Sequence, residues 1–120
     1  MPDFDLRVPA APPVKQTSAD AAERASQAAL NAAIEAAFRE THPNGWPIFM
    51  IHVDLEMTVR YERGRRRSDG ANIIGGIADQ LERLNVYHSD RQLRRIDYEE
   101  KRSPDGDDRY TVRVRPISTS

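Results

Sequence analysis

A chain of 120 residues is long enough for one two-layer core and too short for two, so a single domain over 1–120 is expected. It has no cysteine, which excludes a disulfide framework and any thiolate nucleophile or metal ligand. A net charge of −1 gives no global signal for a polyanionic partner, so such a partner would have to be met by local clusters. No apolar run approaches the roughly 20 residues that cross a bilayer, and the mixed, acidic start MPDFDLRV does not read as a signal peptide. Those features predict a cytoplasmic protein with no membrane contact.

Asp5 to Val8 reads as a first strand, stopped by Pro9, Pro12 and Pro13, so that residues 1–16 form a strand and a proline-rich lead-in. Thr17 with Asp20, or Asp20 with Glu23, can open a helix as a capping box. The alanine-rich stretch that follows, to about Glu40, has Leu30, Ile34 and Phe38 as its apolar stripe. Pro43 and the Asn44-Gly45 pair end it, and Trp46 is expected to anchor that turn in the core. From Ile51 to Tyr61 apolar and polar residues alternate, which means a strand with one buried and one polar face.

Next comes a dense arginine cluster. Sixteen of the 18 basic residues are arginine, and Arg60, Arg63, Arg65, Arg66 and Arg67 crowd the connection to a second helix. Arginine forks onto phosphate oxygens, where lysine offers only a point charge. The cluster is therefore a candidate phosphate contact, although most such loops are simply solvated.

The second helix is predicted from about Asp69 to Leu84. On a wheel of about 100° per residue, Ile73, Ile74, Ile77, Leu81 and Leu84 share one side. Asp69, Asn72, Gly76, Asp79 and Arg83 fall opposite, with Gly75 flanking them. Mid-helix glycines cost about 1 kcal/mol each relative to alanine. Their predicted place away from the apolar stripe suggests close approach of a partner subunit or a nucleic-acid backbone. Two strands, about Leu93–Lys101 and Arg109–Arg115, flank Asp105-Gly106 and are expected to form a hairpin, with a flexible tail over 117–120. The order β-α-β-α-β-β implies an α+β fold, a mixed sheet with two helices packed on it.

Three segments of the second half carry a family resemblance. They are Ser68-Asp69-x-x-Asn72-Ile73, then Ile77-Ala78-Asp79-x-Leu81, then Tyr87-x-x-Asp90-x-Gln92-Leu93. Their order and spacing, together with the proline-rich lead-in, long helix and basic loop before them, resemble RusA-type Holliday junction resolvases over nearly the whole chain. The resemblance implies a homodimeric, Mg²⁺-dependent endonuclease (Mn²⁺ as substitute) that nicks branched DNA in recombination and repair, with no organic cofactor.

Asp69 falls on the family's first catalytic aspartate and Asp90 on its later one, so these two are the expected catalytic and metal-holding residues. Asn72 and Asp79 fall on further signature positions, as possible accessories. Arg63, Arg65, Arg66 and Arg67 are the expected nucleic-acid contacts. The chain departs from the family at Ala71, where a second catalytic aspartate belongs, at Gly75, where a lysine usually stands, and at Ser89, which replaces the first acid of a pair. A relative that binds branched DNA or a protein partner without cutting it is the alternative. Taken as single residues, Asp69 can equally be a helix cap, and Asp90 or His88 an exposed loop residue.

Overall fold

The computed structural model describes residues 2–13, 21–61 and 70–117. The expected Thr17/Asp20 cap, Asp69, Arg63, Arg65, Arg66 and Arg67, and the tail from 118 onward lie outside those residues. The elements are β1 (Phe4–Val8), α1 (Ala21–Thr41), β2 (Val53–Tyr61), α2 (Gly70–Arg83), β3 (Leu93–Arg102) and β4 (Arg109–Pro116). A 3₁₀ turn over Asp90–Gln92 leads into β3. The α+β architecture is as the element order implied, a four-stranded mixed sheet with two helices. Among the described residues no helix is long and apolar enough to cross a membrane.

Strict alternation in three strands builds the core. Phe4, Leu6 and Val8 of β1, Val53, Leu55, Met57 and Val59 of β2, and Tyr110, Val112 and Val114 of β4 are all buried. Ile34 and Phe38 of α1 and Ile73, Ile77 and Leu81 of α2 belong to the same cluster. The helices therefore cover one face of the sheet and leave the other to solvent. At about 25 cal/mol per Å² of apolar surface, burial of this cluster is the main stabilising term. Trp46 packs edge-on against Phe4 and tilted against Phe49, as the expected turn anchor.

The expected hairpin between β3 and β4 does not form. The strand order is β1-β4-β2-β3, so β2 lies between them, parallel to β3 and antiparallel to β4. The reason is composition. β4 offers three consecutive buried positions on one face, whereas β3, LRRIDYEEKR, offers only Ile96 and Tyr98 between charges and is exposed along most of its length. A central strand must line the core, and β3 cannot. The Asp105-Gly106 signal is a turn nonetheless. Gly106 takes φ +80°, and Asp105 accepts from Ser103 Oγ, the Asp107 N–H and Arg109. At the other end of β4, the Ile117 N–H donates to the His52 carbonyl, which ties to the sheet a residue expected to begin the tail.

Helix α2 corrects the wheel at one position. Asn72, Gly75 and Asp79 are half-buried and Arg83 is exposed, but Gly76 is buried with Ile73, Ile77, Ala78, Gln80 and Leu81. The buried face is wider than the isoleucine stripe, and its Gln80 side meets α1. Gln80 Nε2 reaches Glu35 Oε1 of α1 at 3.5 Å, and Gly76 stands one turn before Gln80 on that side. Glycine there belongs to internal packing rather than to an outside partner.

Candidate nucleic-acid interface

The chain beyond α2 is shaped by backbone chemistry. Asn85 takes φ +59°, its N–H bonds the Glu82 carbonyl, and the Val86 N–H bonds that of Leu81. This paired pattern with a left-handed residue is the Schellman ending, which Asn tolerates because its short polar side chain relieves the steric cost. It turns the chain back under the helix. The Phe49 N–H then bonds the Val86 carbonyl, and fully buried Tyr87 donates its hydroxyl to Ala78 O at 2.5 Å. Burial is the main cause that raises the Tyr87 pKa well above the usual phenol range, with the negative fields of Asp90, Glu82 and Asp79 adding to it.

Asp90 opens the 3₁₀ turn that follows. Ser89 and Gln92 form a reciprocal capping box, in which Gln92 Oε1 accepts from the Ser89 N–H at 2.8 Å. The Gln92 amide also donates to the carbonyls of Phe49 and Ile51, both at 2.8 Å, and so ties the turn to the approach to β2. The Asp90 N–H donates to Glu82 Oε1 at 2.9 Å. Asp90 itself is exposed, and among the described residues no cation pairs with its carboxylate.

The structure thus gathers Asp79, Glu82 and Asp90 around Tyr87, at the C-terminal half of α2. Glu82 was not singled out in the sequence; its place three residues after Asp79, on the outward side of the same helix, is the signal that could have found it. Asn72 is not brought to this group, because it lies in the first turn of α2. Gly70, the covalent neighbour of Asp69, and Glu82 are separated along the helix by about 18 Å at 1.5 Å per residue. Among the described residues no three Asp, Glu or His side chains are grouped so as to hold a metal ion, and Asp69 lies outside those residues.

The open face of the sheet carries the charge pattern. Most of its cations are matched: Arg113 Nε donates to Asp5 Oδ1 at 2.6 Å, which raises the Arg113 pKa further, Arg115 pairs with Glu56 at 3.2 Å, Arg109 with Asp105 at 2.7 Å and Lys101 with Glu99 at 3.4 Å. At one end β2 runs into the arginine-rich connection. There the register sets Arg109, Arg60 and Lys101 side by side on β4, β2 and β3.

The chain matches no family model and no curated protein.

Proposed function

We propose that this chain is a RusA-like endodeoxyribonuclease of branched DNA such as Holliday junctions, acting as a homodimer in the cytoplasm. The observation that supports it most is the treatment of Asp90. Signature residues Tyr87 and Gln92, with Glu82, fix the backbone around it, yet its carboxylate stays open to solvent. Preorganisation of this kind is what a working acid needs, and a solvated loop acid has no use for it. Arg63, Arg65, Arg66 and Arg67, continued by Arg60 on β2, are the proposed phosphate contacts, and they give binding a steep salt dependence.

In this reading Asp69 and Asp90 are the acids that would hold Mg²⁺ or Mn²⁺, with Asn72 and Asp79 as accessories. The ion would supply an activated water and charge neutralisation at phosphate. Ala71 and Gly75, standing where the family carries an aspartate and a lysine, favour a second reading, in which the protein binds branched DNA without cutting it.

One assay separates the two. Labelled four-way junction is incubated with wild type, Asp69→Asn and Asp90→Asn in Mg²⁺ or Mn²⁺. Nicking by wild type that is lost in both variants supports the nuclease. Tight, salt-sensitive binding without nicking in either metal establishes the second reading. Equal cutting by all three proteins would trace the activity to a contaminant.

A further inference from the structure

A cleft of about 1000 Å³ opens where the end of β1, the start of β4 and the β3–β4 turn meet α1. Three arginines from three different strands line it: Arg7, Arg60 and Arg109. Arg60 and Arg109 stand directly across the β2–β4 pair, and Arg7 faces Thr111, two residues on from Arg109. Like charges side by side on a sheet destabilise it, so a fold that keeps them calls for a compensating use. Arg109 is partly offset by Asp105 at 2.7 Å. Arg7 and Arg60 have no acid partner among the described residues.

The other wall is apolar, with Pro9, Ala11 and Leu30, and Asp107 and Asp108 stand on the turn at the rim. Guanidinium groups beside an apolar wall suit a ligand with an anionic group joined to a flat, weakly polar body. A nucleotide has that form, and the volume lies at the upper end of the range of ordinary ligand sites. A base laid against the apolar wall has its face covered by protein and is withdrawn from a duplex, which favours an unpaired strand. Arg60 also stands only three positions before Arg63 in the chain.

We infer that the cleft is a subsite for an unpaired nucleotide of the bound DNA, with its phosphate on Arg7, Arg60 and Arg109 and its sugar and base against Pro9, Ala11 and Leu30. The inference rests on the nucleic-acid reading above and extends it from the Asp90 region to the opposite end of the sheet.

The test is fluorescence anisotropy on the full chain with labelled oligothymidine, a four-way junction and a plain duplex. The double variant Arg7→Ala/Arg60→Ala is expected to weaken oligothymidine binding about tenfold and to flatten its salt dependence by about 0.7 per lost phosphate contact. Thr111→Glu, an exposed position that leaves all three arginines in place, is expected to weaken it similarly. Arg95→Ala, on the same open face but outside the cleft, is expected to stay within about twofold of wild type, and so is duplex binding by Thr111→Glu. Oligothymidine binding by both cleft variants within twofold of wild type would overturn the subsite and leave junction recognition standing, as would wild type that binds the junction but not the single strand. Wild type that binds no DNA overturns the subsite and the proposed function together.

Discussion

Strands β3 and β4 are joined only by residues 103–108 and both are rich in charge, yet they occupy opposite positions in the sheet. β4 lies between β1 and β2 with Tyr110, Val112 and Val114 in the core, whereas β3 is an edge strand with Ile96 42% exposed. The lesson is that a turn signal fixes where the chain bends and not which strands pair. Pairing follows from which strand can present an unbroken apolar face to the helices. β3 also shows how an edge is kept from pairing with other chains, since seven of its ten side chains are charged.

The strongest test of this contrast is a matched pair of substitutions. Val112→Asp places an unpaired carboxylate in the core and is expected to cost more than about 3 kcal/mol, a large share of the stability of a domain of this size. Ile96→Asp is expected to stay within about 0.5 kcal/mol. Urea unfolding followed by circular dichroism reads both, and comparable losses would refute the edge assignment of β3.

A smaller effect is expected where β3 begins. Gln92→Ala removes the amide that serves two carbonyls and the capping box, and a loss of about 1–3 kcal/mol should appear in the same measurement. If the turn is what presents Asp90, junction nicking should fall in this variant even at temperatures where it remains folded.

The two buried tyrosines make the next comparison. The Tyr87 hydroxyl bonds Ala78 O, so Tyr87→Phe should cost about 1 kcal/mol. The Tyr110 hydroxyl is buried without a hydrogen-bond partner among the described residues, so Tyr110→Phe should be neutral or stabilising by up to about 1 kcal/mol. Burial raises both pKa values above the ordinary phenol value of about 10. The stability linked to the neutral phenols is therefore complete below pH about 10 and is lost as pH rises beyond it.

The smallest effect concerns the β3–β4 turn. Hydrogen bonds from Ser103, Arg109 and the Asp107 N–H, in that order, hold the Asp105 carboxyl well below its usual range. A lowered folded pKa contributes stability that is present above the unfolded value of about 3.9 and is lost as pH falls through the folded one. The difference in urea midpoint between wild type and Asp105→Asn should accordingly be largest near neutral pH and close in strong acid. A difference that does not change with pH would mean the carboxylate's charge plays no part in the turn.

Much of this was legible in the chain itself. Alternation over Val53–Tyr61 and the isoleucine spacing in α2 fixed element type, because burial on one face imposes a period on any sequence that folds. Tyr87 and Gln92, the signature residues that drew notice to Asp90, do hold the turn around it in the fold. Gly76 and Glu82 were not legible. A helix wheel sees one apolar stripe, whereas the buried face of α2 in the fold is wider and takes in Gly76. Glu82 needed the Schellman turn at Asn85 to swing Asp90 back against it.

Sequence alone determined the α+β class, the order of elements, the polar face of the sheet and the arginine clustering, since each follows from local period and composition. Tertiary structure decided that β2 separates β3 from β4, that Arg7, Arg60 and Arg109 share one cleft, and that Asp90 sits with Glu82 rather than at the start of α2. Those facts depend on contacts between segments far apart in the chain, which no local period encodes.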